Sequence, residues 1–234
     1  MLPLRDNVPT RRFAVVTVAI IAANFAVWLF WEKAGVNPGF TQAVVKGSYF
    51  PCEVQGTCGE HGFSWPVNVF TSMFQHAGWE HILGNMLFLW IFGNNVEDTL
   101  GRVRFVGFYL LGGVVATALQ TFITLEFGSN RDAAVPNLGA SGAIAAVLGA
   151  YFVLLPWSRV LTFVIPFFFF ELPAMVFLGI WFLFQLIDGG FSFVQPQAGG
   201  GVAFFAHIGG FLFGALTVNL WATGRPRPLR PAYT

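Results

Sequence analysis

Four polar side chains in otherwise apolar stretches of the sequence could carry out chemistry: His81, Asn85, Ser141 and His207. Polar groups are costly inside a membrane-spanning segment, so their presence there indicates function. A serine hydroxyl becomes a nucleophile when an adjacent base takes its proton, and histidine is a common base. His81 and Asn85 are four residues apart and therefore project from one face of a helix. The set offers a potential nucleophile, a potential base and two hydrogen-bond donors.

Small residues accompany the serine and the last histidine. They are Gly139, Gly142, Gly210 and Gly214. The first two leave the Ser141 hydroxyl unobstructed, and the last two share one helix stripe with His207, which favours close helix packing. Packing that stripe on the start of the serine helix would bring His207 beside Ser141. Each residue taken singly has a structural alternative, since a membrane serine often bonds a backbone carbonyl and a histidine can bridge two helices.

The composition places these residues in a membrane. Of 234 residues, 56% are hydrophobic and 10% are charged, whereas about a quarter of a soluble domain is charged. This excludes a disordered chain, a secreted disulfide scaffold and a nucleic-acid-binding domain. The net charge of +1 gives no reason to expect a polyanionic partner.

Six segments approach the length of about 20 apolar residues that a membrane-spanning helix requires. They lie near 13–31, 81–97, 104–126, 140–155, 171–188 and 203–222. The apolar segment 161–170 is interrupted by Pro166 and is too short to cross alone, so we interpret it as an interfacial approach to the fifth span. The predicted fold class is an all-α polytopic membrane protein.

Basic residues predict the orientation of the six spans. Nine of the twelve Lys and Arg residues lie in the N-terminal segment, the second and fourth loops and the C-terminal tail. The positive-inside rule then places both termini in the cytoplasm. The chain divides into a cytoplasmic segment (1–12), a membrane domain (13–222) and a basic, proline-rich cytoplasmic tail (223–234) that is expected to lie against anionic headgroups.

The two cysteines, Cys52 and Cys58, lie in the first outer loop. In an oxidising compartment they could close a small ring, and the predicted orientation slightly favours this ring over two free thiols. A zinc site that also used His61 would need a fourth ligand and lacks paired C-x-x-C spacing. We therefore expect no metal.

Three motifs in consistent order resemble the signature of the rhomboid intramembrane serine proteases. They are Gly139-Ala-Ser-Gly in the fourth span, Ala206-His-Ile-Gly-Gly followed by Gly214 in the sixth, and the spacing of His76, His81 and Asn85 in the second. Gly101-Arg-Val-Arg-Phe at the start of the third span is similar to the family as well. The resemblance covers about Phe70 to Leu220 and implies a six-helix rhomboid-like bundle that acts as one chain.

The resemblance also implies a role for each polar side chain. Ser141 would be the nucleophile and His207 the general base of a dyad without an aspartate. His81, Asn85 and the Ser141 backbone N–H would form the oxyanion hole, and His76 would shape the loop above it. No cofactor and no metal would be needed. The partners would be membrane lipid and single-pass or polytopic membrane protein substrates, cut in or near their transmembrane helices.

In the family, the site opens to the outer side beneath the last outer loop, here 189–202, beside the fifth span. In the family, the fifth span acts as a gate to the site. The aromatic residues of the fifth span here, Phe177, Trp181 and Phe184, fit that role, although they could equally be bulky side chains that face lipid. Many members carry a Trp-Arg pair where this sequence has Val67 and Asn68, so the first outer loop needs another anchor here. The expected location is the plasma (inner) membrane.

Two functions of other kinds compete with proteolysis. A catalytically inactive rhomboid-like protein would bind transmembrane helices without cutting them, and loss of the serine or the histidine would mark it. A small transporter or proton channel could relay protons through His81, Ser141 and His207. Inverted repeats or paired broken helices would favour the channel, and the sequence shows neither.

Overall fold

The computed structural model describes residues 1–59, 61–164, 168–194 and 203–224. The predicted basic tail, from residue 225 onward, lies outside the described residues. Most of the last outer loop, 195–202, also lies outside them.

Most of the described chain is helical. Its ten α-helices are α1 (Val15–Ala26), α2 (Gly39–Gly47), α3 (Pro51–Gln55), α4 (Trp65–Thr71), α5 (Trp79–Leu100), α6 (Arg102–Phe127), α7 (Asn130–Ala133), α8 (Ser141–Leu154), α9 (Ala174–Val194) and α10 (Phe204–Trp221). A π-helical turn, Val27–Trp31, extends α1. In the described part of the chain, three helices, α6, α9 and α10, are long and apolar enough to cross a membrane, and the extended α1 and α8 are shorter apolar helices.

Helix α8 lies at the centre of the bundle. All residues from Gly142 to Tyr151 are buried, as expected for a helix that is apolar on every side. Helix α10 packs directly against its backbone. A Cβ atom on Gly210 would lie 2.1 Å from the Gly142 oxygen, and one on Gly214 would lie 1.9 Å from the Ala146 oxygen. The two helices can therefore approach this closely only because these positions have no side chain.

The prediction of an all-α fold is wrong in one respect, because the structure contains a three-stranded antiparallel sheet. Strands β1 (Leu2–Asp6), β2 (Arg159–Val164) and β3 (Phe168–Pro173) are ordered β1-β2-β3. The described residues of the segment interpreted as an interfacial approach, 161–164 and 168–170, thus lie in two paired strands, and their β-branched and aromatic residues suit strands. Pro173 ends β3, so the fifth long helix begins at Ala174 rather than near residue 171.

Contacts between distant segments define two ends of the bundle. At one end, β1 pairs with β2. At the same end, Arg104, near the start of α6, donates hydrogen bonds to the backbone carbonyls of Trp221 and Thr223, each at 2.8 Å. At the other end, Tyr49 and Asn137 exchange backbone hydrogen bonds. This second end carries a Cys52–Cys58 disulfide, with the Cα atoms 5.6 Å apart. The structure thus pairs the two cysteines, which the sequence had left open.

We predict that Gly214→Ala destabilises the protein by about 1–3 kcal/mol, the usual cost of overpacking a tight contact. The added methyl group would collide with the Ala146 carbonyl, which cannot move without shifting α8. Gly179→Ala in α9 is the matched control, because a Cβ there meets no atom within 4 Å. The measurement is thermal unfolding in detergent. Equal melting temperatures for the two variants would contradict the packing described here.

Candidate active site

The hydroxyl of Ser141 and the imidazole of His207 lie in direct contact. Ser141 is the first residue of α8, and His207 is in the first turn of α10. Ser141 Oγ and His207 Nε2 are 2.8 Å apart, a hydrogen bond between side chains 66 residues apart in sequence. The close approach of α8 and α10 at their glycines makes this contact possible. A hydroxyl that donates to an unprotonated imidazole nitrogen is arranged for nucleophilic attack.

The other nitrogen of His207 contacts a residue that the sequence analysis did not single out. His207 Nδ1 lies 2.7 Å from Oε1 of Gln185, in α9. The Trp181 ring, one turn earlier, lies 5.8 Å from the imidazole between ring centres. Of the three aromatic residues assigned to a gate, Phe177 is buried, Trp181 faces the histidine and Phe184 is exposed. In the sequence, Gln185 could be noticed only as a polar residue within a helix rich in aromatic residues.

His81, near the start of α5, is arranged as a hydrogen-bond donor. The backbone N–H of Ala77 donates to His81 Nδ1 at 3.2 Å, so the proton of the neutral ring lies on Nε2. A Cβ on Gly139 would lie 2.9 Å from that Nε2 and 3.6 Å from Ser141 Oγ. Gly139, whose φ is +125°, therefore leaves a space of about one methyl group between the serine and the histidine. An oxyanion fits such a space.

Asn85 supplies a second potential donor on the same helix face. Its side chain is buried, and its Nδ2 has no hydrogen-bond partner among the described residues. An unpaired buried donor costs free energy, which a ligand oxygen would recover. The Ser141 backbone N–H is a third donor, because the first N–H groups of a helix have no partner within it. These N–H groups also form the positive end of the helix dipole.

A small cavity of about 30 Å³, with a mixed polar and apolar lining, adjoins Ser141. Its lining includes Ser72, Thr117, Gln120 and Asn137. The volume suits a single water molecule, and these side chains could hydrogen-bond to it. Gln120 Oε1 also accepts from the Ala206 backbone N–H at 3.2 Å, which ties the cavity wall to the start of α10.

Glu32 is a second site residue that no sequence motif marks, since in the sequence it only follows the first predicted span. It is fully buried, and its Oε1 accepts from the His76 backbone N–H at 2.9 Å. Burial raises the Glu32 pKa to about 7. Burial, with His81 nearby, lowers the His76 pKa to about 3 and keeps that ring neutral. Glu32 thus holds the turn whose next N–H group, at Ala77, fixes the His81 ring.

The segment predicted to form the first outer loop has contacts of its own where the Trp-Arg pair is missing. Asn68 Nδ2 donates to the Phe63 carbonyl at 3.0 Å, whereas Val67 is exposed. Trp31 stacks on Phe63, and the Lys46 ammonium lies over both rings. This aromatic contact anchors the loop to the end of the first long helix.

The zinc alternative does not fit the structure. Both cysteines are used in the disulfide, so neither can bind a metal as a thiolate. His61 Nδ1 instead lies 3.0 Å from Glu53 Oε1. Within the described residues, no group of three His, Cys, Asp or Glu side chains could hold a metal ion.

Comparison with known proteins identifies the family. A family model described as the rhomboid domain matches residues 65–223. The chain belongs to the rhomboid family. This confirms the family that the three motifs indicated.

Curated rhomboid relatives match over much of this chain. The presenilin-associated rhomboid-like protein A, mitochondrial, of Danio rerio is 33% identical over 83% of this chain and 45% of its own length. Rhomboid protein 1, mitochondrial, of Saccharomyces cerevisiae is 30% identical over 64% of this chain and 40% of its own. The human presenilin-associated rhomboid-like protein, mitochondrial, is 28% identical over 88% and 50%. The rhomboid chain thus spans about half the length of these relatives or less.

We predict that Glu32→Gln removes part of the pH dependence of stability. In the wild type, the folded-state pKa of about 7 lies above the ordinary glutamate pKa of 4.5. Stability from this group is therefore greatest below pH 4.5 and is lost as the pH rises through 7. Glutamine keeps an acceptor for the His76 N–H but does not titrate.

Melting temperatures at pH 5 and pH 8 test this prediction, with Glu126→Gln at an exposed position of α6 as the control. The wild type and the control should lose more stability at pH 8 than Glu32→Gln does. The same loss in all three proteins would show that Glu32 is not the titrating group.

Proposed function

We propose that this rhomboid-family chain is an intramembrane serine endopeptidase that hydrolyses peptide bonds in or near transmembrane helices of other membrane proteins. The observation that carries this proposal is the 2.8 Å hydrogen bond between Ser141 Oγ and His207 Nε2. Family membership supports it, and so do the potential hydrogen-bond donors at His81, Asn85 and the Ser141 backbone. Membrane lipid and membrane protein substrates are the proposed partners, and the proposed chemistry uses no cofactor or metal.

The proposal includes six membrane spans, formed by the extended α1, α5, α6, α8, α9 and α10, with both termini in the cytoplasm. Helix α8 has 14 residues and rises about 21 Å, less than the hydrocarbon thickness of about 30 Å. If the C-terminal end of α8 reaches one surface of the hydrocarbon core, Ser141 at its N-terminal end lies inside the core, some distance from the opposite surface. The site would then open toward the disulfide-bearing end on the outer side. The proposed location is the plasma (inner) membrane, whereas the three relatives above are named as mitochondrial.

In the first proposed step, Ser141 Oγ attacks the carbonyl carbon of the scissile peptide bond, and its proton moves to His207 Nε2. The carbonyl electron pair becomes an oxyanion, which accepts hydrogen bonds from His81 Nε2–H, Asn85 Nδ2–H and the Ser141 backbone N–H. The C–N bond then breaks, and the leaving amine takes the proton from His207. An acyl ester on Ser141 remains.

In the second half of the reaction, a water molecule replaces the serine as nucleophile. It gives its proton to His207 Nε2 and attacks the ester carbonyl, and the same donors hold the second oxyanion. Collapse of this intermediate releases the new carboxyl end and returns the proton to Ser141 Oγ. The small cavity beside Ser141, whose lining includes several polar side chains, is a suitable source of this water.

We predict that a serine-reactive fluorophosphonate probe labels the detergent-purified protein, and that Ser141→Ala and His207→Ala both abolish the labelling. The first variant removes the nucleophile and the second the base that activates it. Ser64→Ala is the control, because Ser64 is an exposed serine in the first outer loop. Gel fluorescence of folded protein gives the readout.

Two results would contradict this proposal. Labelling that survives Ser141→Ala would mean that another residue is the nucleophile. A folded wild type that does not react, under conditions where a known intramembrane serine protease does, would favour the inactive, helix-binding alternative.

We also predict that Asn85→Ala lowers turnover of a reporter transmembrane helix by about 10²–10³, the usual effect of losing one oxyanion donor. The loss should fall on kcat and leave KM almost unchanged, because the oxyanion exists only after attack. Asn219→Ala, at an exposed position near the end of α10, is the control. A rise in KM at constant kcat would instead assign Asn85 to substrate binding.

A further inference from the structure

We propose that Gln185 positions His207, so that the dyad is the reacting part of a Ser141–His207–Gln185 chain of hydrogen bonds. This inference rests on the proposed function and adds a residue to it. Gln185 is a positioning residue, because it contacts the base and not the reacting atoms. The chain of contacts runs from α8 through α10 to α9, with distances of 2.8 Å and 2.7 Å.

The position of the proton on the imidazole decides whether His207 can act as the base. Ser141 can give its proton to His207 Nε2 only if that nitrogen is unprotonated. A neutral imidazole carries one N–H, which must then be on Nδ1. Gln185 Oε1, 2.7 Å from Nδ1, accepts that N–H. The contact therefore selects the tautomer that catalysis needs and stabilises the ring orientation that aims Nε2 at the serine.

Gln185 is itself held in place. Its side chain is only 8% exposed, and its Nε2 donates to the Trp181 carbonyl one turn earlier at 3.4 Å. That bond turns Oε1 toward His207. The opposite orientation of the amide would place an N–H against the Nδ1–H of the ring. The Trp181 ring also lies against the imidazole, so α9 supplies both the acceptor and a wall of the site.

A neutral amide suits this environment better than a carboxylate. An ionised carboxylate buried between helices has a large desolvation penalty. An amide oxygen fixes the tautomer without that charge. In the described part of the chain, no carboxylate is hydrogen-bonded to His207. The expected dyad without an aspartate is therefore compatible with a third, uncharged member.

The test compares Gln185→Met, which removes the acceptor at similar size, with Gln185→Glu, which keeps an acceptor oxygen. Leu186→Met, at the exposed neighbouring position of α9, is the matched control. One readout is the His207 tautomer, from ¹⁵N NMR of histidine-labelled protein with the signals assigned by their loss in His207→Ala. The other is the rate of fluorophosphonate labelling at Ser141.

We expect the wild type and the control to show the proton on Nδ1. Gln185→Met should populate the other tautomer of His207, and its Ser141 should be labelled about 10- to 100-fold more slowly. This decrease is smaller than the full rate effect of a general base, because His207 itself remains. Gln185→Glu should keep the tautomer and recover most of the labelling rate. A merely structural role would not move the tautomer.

The two proposals fail in different ways. If Gln185→Met keeps the wild-type tautomer and labelling rate, Gln185 does not position the base. If the folded wild type is not labelled at all, the proposed function fails. The tautomer in Gln185→Met then still decides whether Gln185 sets the state of His207.

Discussion

The contact between the backbones of α8 and α10 is the constraint on which the site depends. Gly149 of α8 faces the backbone carbonyl of Phe211, and Gly214 of α10 faces the backbone carbonyl of Ala146. A Cβ atom at either glycine would overlap the carbonyl oxygen that it faces. In lipid, helices gain little from burying apolar surface against each other, so close packing and interhelical hydrogen bonds hold them together. Here the packing has a chemical consequence. It brings a hydroxyl on one helix within 2.8 Å of an imidazole on the other.

Two buried polar groups support the residues around this pair. Gln185 contacts the proposed base, His207, through Nδ1, and Glu32 holds the turn that orients His81, a proposed oxyanion donor. Each comes from an element outside the α8–α10 pair. The site is thus assembled by several helices, and a small shift of any one of them would change a hydrogen bond. Uncharged partners dominate around the serine, which limits the desolvation cost of the site.

The sequence could reveal the proposed catalytic residues but not the residues that hold them in place. Ser141 and His207 stand out because polar residues are rare in their segments and lie in recognisable motifs. Gln185 and Glu32 lie in no motif, and only the fold shows which nitrogen each contacts. Strand β1 pairs with a segment more than 150 residues away, so local pattern could not identify the sheet. The long helices can be predicted from the sequence, because length and apolarity are local properties.

The central claim is that Ser141 hydrolyses peptide bonds within the membrane. The most direct test reconstitutes the wild type and Ser141→Ala in vesicles with a panel of reporter transmembrane helices and maps the new chain ends by mass spectrometry. The account predicts fragments cut in or near the helix with the wild type and none with Ser141→Ala. It would be contradicted if folded wild type cut no helix in a panel that a known rhomboid protease cleaves in the same vesicles. Equal cutting by Ser141→Ala would contradict it as well.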